Sequence, residues 1–349
     1  MAIALVIGLP GYFSTGFGAE SKEVMIAQAI RQTFDRSLSS FEQEIQRHYA
    51  LRMYRLTGDT TYLPTLRQGL ALTLSELEAD VVHASDSVYI GRRMEELLEP
   101  LRDDNRKDRL RLPALRDLGP FLYHLHLLEN TAKIREYRLT DSVSTRLCGQ
   151  ADSILRTVDF SPLMDTQVIR VYAPQAANFV WWLYAGKGAD LRDQFMERFR
   201  SLYPDSLDAR LKGPEYLDKL YGLTHLILPV SEYFQHNVHP EPYRWVLDYF
   251  RANKKRIMKS ATSDIIAEIG ICFLMCDMPD DPMVAECRHR IVADFDKRSG
   301  FILSPSGNRD MSTAEHRNVL AFALLAWPER LFPGPYLTDY VGDRKNIDQ

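Results

Sequence analysis

The sequence predicts an all-α fold of paired helices, and three observations carry that reading. Apolar segments with helical spacing alternate with amphipathic charged ones, strand-like alternation is scarce, and the apolar segments recur at a nearly fixed interval. They begin near Phe41, Gly119, Thr166, Pro214, Ser263 and Ser312, and the last five starts lie about 47, 48, 49 and 49 residues apart. Such a period marks a repeated supersecondary unit whose apolar face its neighbours must bury.

Each interval holds one apolar and one amphipathic helix. The amphipathic partners are expected near Ser142–Thr157, Ala189–Tyr203, Pro242–Arg256 and Pro282–Lys297. The first repeat is irregular. It turns at Gly58–Asp59, carries its own second helix, and adds a charged helix near Ile90–Asp108, which accounts for the longer gap between Phe41 and Gly119. Ser21–Arg36 precedes the first apolar helix and is expected to supply the sixth outer helix, closing a ring beside the C-terminal repeat. Pro214 suits a first helical turn, where its missing N–H has no intrahelical use. Thr262 or Ser263 is expected to cap the next apolar helix, with Asp264 in its first turn. "STAE" from Ser312 reads as a capping box closed by Glu315. "FILSPSGN" from Phe301 is the one plausible extended piece.

The stretch "YRLTGDTTYL", Tyr54 to Leu63, resembles the helix–turn–helix linker of (α/α)6 toroids. Those include unsaturated glucuronyl hydrolases, other glycosidases, polysaccharide lyases and uronyl epimerases. "YGLTHLIL" and "SDIIAEIGICFLMC" are similar to segments of bacterial toroid-like proteins. The resemblance implies a single (α/α)6 toroid domain over residues 20–349, with inner helices around a central cleft. It implies a fold, and one fold carries many reactions.

Composition narrows the classes. Charged residues are 26% and hydrophobic residues 45% of the 349, ordinary globular values. A formal net charge of −4 argues against a nucleic-acid partner. No internal run of about 18 apolar residues suggests a membrane span. "MAIALVIGLPGYFSTGFGAESKE" passes from apolar to small to charged, so residues 1–19 are expected to be a signal peptide, best cleaved after Gly18. A start upstream of Met1 would supply the missing positive n-region. The protein is therefore expected to be periplasmic or secreted; the alternative is a cytoplasmic protein that keeps this segment. Cys148, Cys272, Cys276 and Cys287 lack zinc-ribbon spacing and read as small buried hydrophobes, with metal binding the minor alternative. "YAGKGADLRDQ" lacks phosphate-loop spacing, and serine-hydrolase and redox CxxC signatures are missing, so no cofactor is expected.

Candidate site residues are the polar groups on apolar helices. Tyr221, His225, Leu228 and Glu232 fall on one stripe if the helix continues, and Pro229 should kink it. His225 is either a satisfied core histidine or a cavity-facing acid–base group. His236 and His239 read as solvated loop residues. Glu268 sits deep in an apolar helix and needs a cation, a donor or solvent, which makes it the best single carboxylate. Asp264 shares its face and serves either the helix N-terminus or the site. His316, Arg317 and Asn318 open the last apolar helix and suit substrate contact as well as packing. Asn178, Trp181 and Trp182 offer an amide and an aromatic wall, a stripe that also fits a core. His48, and one of His124 and His126, belong to the same open class.

Three functions are consistent with this set. The first is a carbohydrate-active enzyme acting on an oligosaccharide or small ligand. As a hydrolase it would pair Glu268 with Glu232 or Glu42. As a lyase or epimerase it would use His225 or Tyr221 as base, with Arg317 and Asn318 neutralising a substrate carboxylate. The second is a metal enzyme using His225, Glu268 and His316, although no local ligand motif supports it. The third is a non-catalytic scaffold that holds a glycan or peptide. His225 and Glu268 are expected to meet across adjacent helices with His316 close by, and to shift each other toward their charged forms.

Overall fold

The computed structural model describes residues 21–101 and 106–338; the proposed leader, residues 1–19, lies outside the described residues. Among the described residues the chain is all-helical apart from one small hairpin. The helices are α1 (Lys22–Ser37), α2 (Gln43–Thr57), α3 (Leu63–Val82), α4 (Ser87–Leu98), α5 (Arg106–Asp117), α6 (Phe121–Glu136), α7 (Ser142–Leu155) and α8 (Thr166–Ala185). They continue as α9 (Arg192–Leu202), α10 (Gly213–His225), α11 (Arg244–Ala252), α12 (Lys254–Ser260), α13 (Ser263–Met275), α14 (Pro282–Asp294) and α15 (Met311–Leu325). Strands β1 (Phe295–Asp296) and β2 (Phe301–Ile302) pair antiparallel between α14 and α15.

The six expected apolar helices are α2, α6, α8, α10, α13 and α15, each starting within two residues of its expected position. The expected amphipathic helices appear as α1, α7, α9, α11 with α12, and α14, while the added charged segment forms α4 and α5. Local chemistry explains the boundaries. Asp86, Asp141, Asp165, Asp281 and Asp310 each accept first-turn N–H groups from α4, α7, α8, α14 and α15. Gly58 ends α2 with φ +68, a conformation that side chains resist. Pro214 occupies the first turn of α10, and Thr262 is the N-cap of α13.

One boundary differs from expectation. Asp310, not Ser312, caps α15, so no Ser312–Glu315 capping box forms and Glu315 turns inward instead. The stripe expected to run from Tyr221 to Glu232 is also broken. α10 ends at His225, a short 3₁₀ turn spans Leu228–Ser231, and Glu232 adopts φ 50 beyond it. Pro229 cannot donate to a helical ladder, and the chain exits the helix there.

The apolar helices neighbour one another in sequence order. α6 packs on α8, α8 on α10, α10 on α13 and α13 on α15. α15 packs back on α2, and α3 bridges α2 to α6. α1 lies on α15 and α14, beside the C-terminal repeat as expected. Gly270 permits the close α13–α15 approach, since a Cβ there would stand 2.6 Å from Leu324. Cys272, Cys276 and Cys287 are buried without disulfides, in keeping with an apolar filling role. Helix α8 bends at Tyr172 ahead of Pro174. The carbonyl that Pro174 leaves unbonded, at Arg170, accepts the Tyr203 hydroxyl at 3.2 Å, and Arg111 bonds the neighbouring Val171 carbonyl at 2.9 Å. No helix among the described residues is long and apolar enough to cross a membrane.

Candidate functional site

Four apolar helices bring ionisable groups together. α2 contributes His48 and Arg52, α10 contributes Tyr221 and His225, α13 contributes Asp264 and Glu268, and α15 contributes Glu315, His316 and Arg317. The expected meeting of His225, Glu268 and His316 occurs. Glu268 Oε2 lies 3.8 Å from His225 Nδ1, and Oε1 lies 3.6 Å from His316 Nε2. Thr224, which the sequence reading passed over, donates its hydroxyl to Glu268 Oε2 at 2.7 Å. It sits beside His225 and so faced α13 unnoticed.

The contacts continue into a chain. His316 Nδ1 meets His48 Nε2 at 3.4 Å, and His48 Nδ1 meets Glu315 Oε1 at 2.9 Å. Glu315, His48 and His316 thus form a line of hydrogen-bonding groups, with Glu268 3.6 Å beyond its end. Counting hydrogens along it is informative. If His48 donates from Nδ1 to Glu315, and His316 donates from Nδ1 to His48, then His316 Nε2 faces Glu268 Oε1. A proton on either atom would turn that contact into a donor–acceptor pair. The His316 side chain is 45% exposed and Glu268 only 1%, so solvent reaches the line from the His316 side.

His225 is arranged differently. Its Nδ1 donates to the Tyr221 carbonyl at 3.0 Å, which leaves Nε2 as a lone pair with no hydrogen-bond partner among the described residues. Burial lowers the His225 pKa, outweighing the opposing effect of Glu268. The expected shift of His225 toward its charged form therefore does not occur: desolvation exceeds the carboxylate's attraction, and the imidazole is a neutral base. Burial followed by the charge of Arg52 pushes His48 down to about 4. Burial would raise Glu315, but His48, His316 and Arg52 together hold it below the usual carboxylate range. Asp264 behaves likewise: burial opposes the shift, yet bonds from Thr262 and Tyr221, then the charges of His316 and Arg317, lower it. Tyr221 donates a short hydrogen bond to Asp264, and burial with Asp264 and Glu268 raises its pKa far above that of a free phenol.

The expected substrate-binding residues divide into separate places. Arg317 lies within electrostatic reach of Asp264, with Nε and Nη1 buried and without hydrogen bonds. Asn318 is fully buried and pins the hairpin: its amide nitrogen donates to the Ile302 and Ala314 carbonyls at 2.9 Å each, and its oxygen accepts the Ile302 N–H. Both amide hydrogens are in use, so its part is structural. Asn178, Trp181 and Glu232 gather around Tyr233. The Tyr233 hydroxyl donates to Asn178 at 2.6 Å, and Trp181, Glu232 and Tyr233 border one cavity of about 200 Å³. Trp181 also joins His225 around a cavity of about 40 Å³. Glu42 is exposed at the start of α2. His236 and His239 are exposed loop residues.

Residues 23–347 match the family described as Domain of unknown function (DUF3541). The chain belongs to that family. No curated protein and no solved structure matches it. Within this DUF3541 chain, no group of three His, Cys, Asp or Glu side chains among the described residues is placed to hold a metal ion.

Arg52 is the residue that the sequence reading missed. Its guanidinium lies 5.2 Å from the centre of the Tyr233 ring and acts electrostatically on His48, His225 and Glu315. It therefore connects the acid–base line with the Tyr233 group. The only advance signal was a charged residue four positions after His48 on an apolar helix.

Proposed function

We propose that the chain is a carbohydrate-active enzyme that moves protons, of lyase or epimerase type rather than a hydrolase, in the central cleft of an (α/α)6 toroid. The ring is supported by the ordered packing of the six apolar helices and by the return of α15 onto α2. The reaction type is supported chiefly by the line Glu315–His48–His316, with Glu268 beyond its end and the neutral His225 beside Glu268.

The reading follows from which groups are free to react. A hydrolase needs two carboxyl groups facing the glycosidic bond. Here Glu268 is held by Thr224, Glu315 by His48 and Asp264 by Tyr221, so each carboxylate orients a neighbour. Histidines become the reacting groups. His225 Nε2 removes a proton from a ring carbon. His316, facing Glu268 and open to solvent, is the acid in this reading: its Nε2 proton passes either to a departing glycosidic oxygen or back to carbon. In the elimination case the C–H electron pair becomes the C=C bond, the C–O bond breaks, and that oxygen takes the proton. Solvent, which reaches the line from the His316 side, then returns a proton to His316 and takes the one held by His225, while His48 and Glu315 hold the His316 ring in place.

Incubation with acidic and neutral polysaccharides in D₂O tests this. Ultraviolet-absorbing unsaturated ends, or deuterium at one ring carbon by NMR, is the expected result. New reducing ends with neither signal would overturn it in favour of hydrolysis. The apolar leader is the support for export, which would place the enzyme with extracellular glycans.

A further inference from the structure

The helix pair α4 and α5 is an addition to the repeat, and one cluster of polar groups ties α4 to its neighbours. Arg93 on α4 faces Glu76 and Asp80 of α3, at 3.2 and 3.5 Å, and Glu96 of its own helix at 3.1 Å. Tyr89, one turn earlier, donates its hydroxyl to Asp80 at 2.8 Å. His126 of α6 stands among them. Arg93 and Asn130 both donate to its Nε2, at 2.8 and 2.9 Å, so that nitrogen carries a lone pair and the ring is neutral. Yet the same Nε2 lies 3.6 Å from Glu76 Oε2 and 3.6 Å from Asp80 Oδ2. Asp80 Oδ2 is buried and has no hydrogen-bond partner among the described residues. A buried carboxylate oxygen left without a donor is costly, and a single proton on His126 Nε2 would supply one.

We propose that His126 is a pH-sensitive release for α4. Protonation turns its Nε2 from an acceptor into a donor for Glu76 and Asp80, the two carboxylates that Arg93 also faces. The imidazolium then competes for both and repels the guanidinium that now bonds it. Arg93 keeps Glu96, but that residue lies on the same helix and ties α4 to nothing else. Of the polar contacts from α4 in this cluster, Tyr89 to Asp80 remains. The groups around His126 are Glu76 and Asp80 from α3, Arg93 from α4 with Tyr89 and Glu96 behind it, and Asn130 on its own helix. Three carboxylates against one guanidinium favour a second positive charge. Glu76 is 48% exposed, so protons reach the cluster from its side. The effect extends past α4. Leu98 of α4 and Leu115 of α5 share a small apolar cluster with Leu122 that is distinct from the main core. Helix α5 in turn bonds the Val171 carbonyl through Arg111 and holds that guanidinium within electrostatic reach of Tyr221. Loosening α4 therefore frees the helix pair that reaches the candidate site, whichever reaction the site performs.

Hydrogen exchange of the full chain at about pH 7.5 and about pH 5.5, either side of the range where histidines ordinarily titrate, tests the release. Rates are compared as protection factors, so that the intrinsic pH dependence of exchange cancels. Protection across α4 should fall at the lower pH by at least about fivefold more than protection across α13. His126→Gln keeps an acceptor for Arg93 and Asn130 but does not titrate, and it should hold α4 equally protected, relative to α13, at both pH values. Arg93→Met should leave α4 weakly protected at both. His48→Gln should retain the α4 response, since His48 lies outside this cluster. Nitrogen NMR of histidine-labelled protein gives a reading that needs no variant: His126 Nε2 should be bare at the higher pH and carry a hydrogen at the lower. Equal relative protection of α4 at the two pH values in the wild-type chain overturns the proposal. So does a pH response that survives His126→Gln or disappears with His48→Gln, or a hydrogen already on Nε2 at the higher pH. If His126→Gln does not fold, the NMR reading and Arg93→Met carry the comparison.

Discussion

His48 and His316 stand Nε2 to Nδ1 at 3.4 Å across α2 and α15, although 268 positions separate them in sequence. Their rings are 5.3 Å apart and tilted by 46°. The first and last apolar helices are thus joined at the same point where the acid–base line passes between them. The contact is one of those that pack α15 on α2, and the proposed chemistry runs through it.

The first prediction concerns pH. His48 is pushed down to about 4 from an ordinary value of 6.5, first by burial and then by Arg52. Between those values the unfolded chain binds a proton that the folded chain does not. Stability should therefore be full above about pH 6.5 and decline as pH falls toward 4. Thermal melts across that window should show the decline, and His48→Gln should flatten it, removing up to about 3 kcal/mol of the loss. Parallel curves for the two proteins would exclude His48 as the titrating group.

The second prediction separates catalytic from structural burial at Glu268. Glu268→Gln keeps the shape and an acceptor for Thr224 but removes the charge facing His316. It should abolish proton transfer with a melt near wild type. Glu268→Ala leaves Thr224 without its acceptor and should cost about 3–5 kcal/mol in urea denaturation. If both variants lose stability equally and the Gln form stays active, Glu268 is structural.

The third prediction concerns Arg55, a buried residue that bonds the carbonyls of Glu232, Tyr233 and Gly334 and the carboxylate of Glu136. Three successive non-glycine residues, Glu232, Tyr233 and Phe234, hold φ of 50, 52 and 77 there. Each such residue costs about 1–2 kcal/mol. Arg55→Met should remove the compensation and destabilise the chain by about 3–5 kcal/mol. Hydrogen exchange should rise first at residues 232–235 and 334–337. Unchanged protection at both segments would show that other contacts hold the turn.

The fourth prediction is export. Protein recovered from its native host should begin near Ala19, following cleavage after Gly18. Recovery of an intact chain carrying residues 1–18 from the cytoplasm counts against it.

The helices were legible because their apolar faces repeat at about 48 residues, a signal carried by many positions at once. The meeting of His225, Glu268 and His316 was legible for a related reason: a buried carboxylate needs a donor, and few donors lay on the neighbouring apolar helices. What stayed hidden depended on single long-range neighbours. Glu315 looked like a capping-box residue because Ser312 stands three positions before it, yet Asp310 took the cap and His48, 267 positions away, took Glu315. Asn318 looked free because, although the extended piece from Phe301 was legible, nothing in the sequence pairs it with Asn318. Arg52 could not be told from Arg47 or Arg55 until their acceptors were in place.

Arg55 also bears on how the chain matures. Its partners are 81, 177, 178 and 279 residues away, so no part of the hub can form from local sequence. Closing the longest of those loops carries the largest entropic cost and comes late in folding. During synthesis the helices up to α14 can emerge and pair while the Arg55 guanidinium still waits for the Gly334 carbonyl. A nascent chain halted before residue 334 would thus hold a nearly complete set of helices with Arg55 still short of one of its four partners, a species more open to chaperone capture or proteolysis.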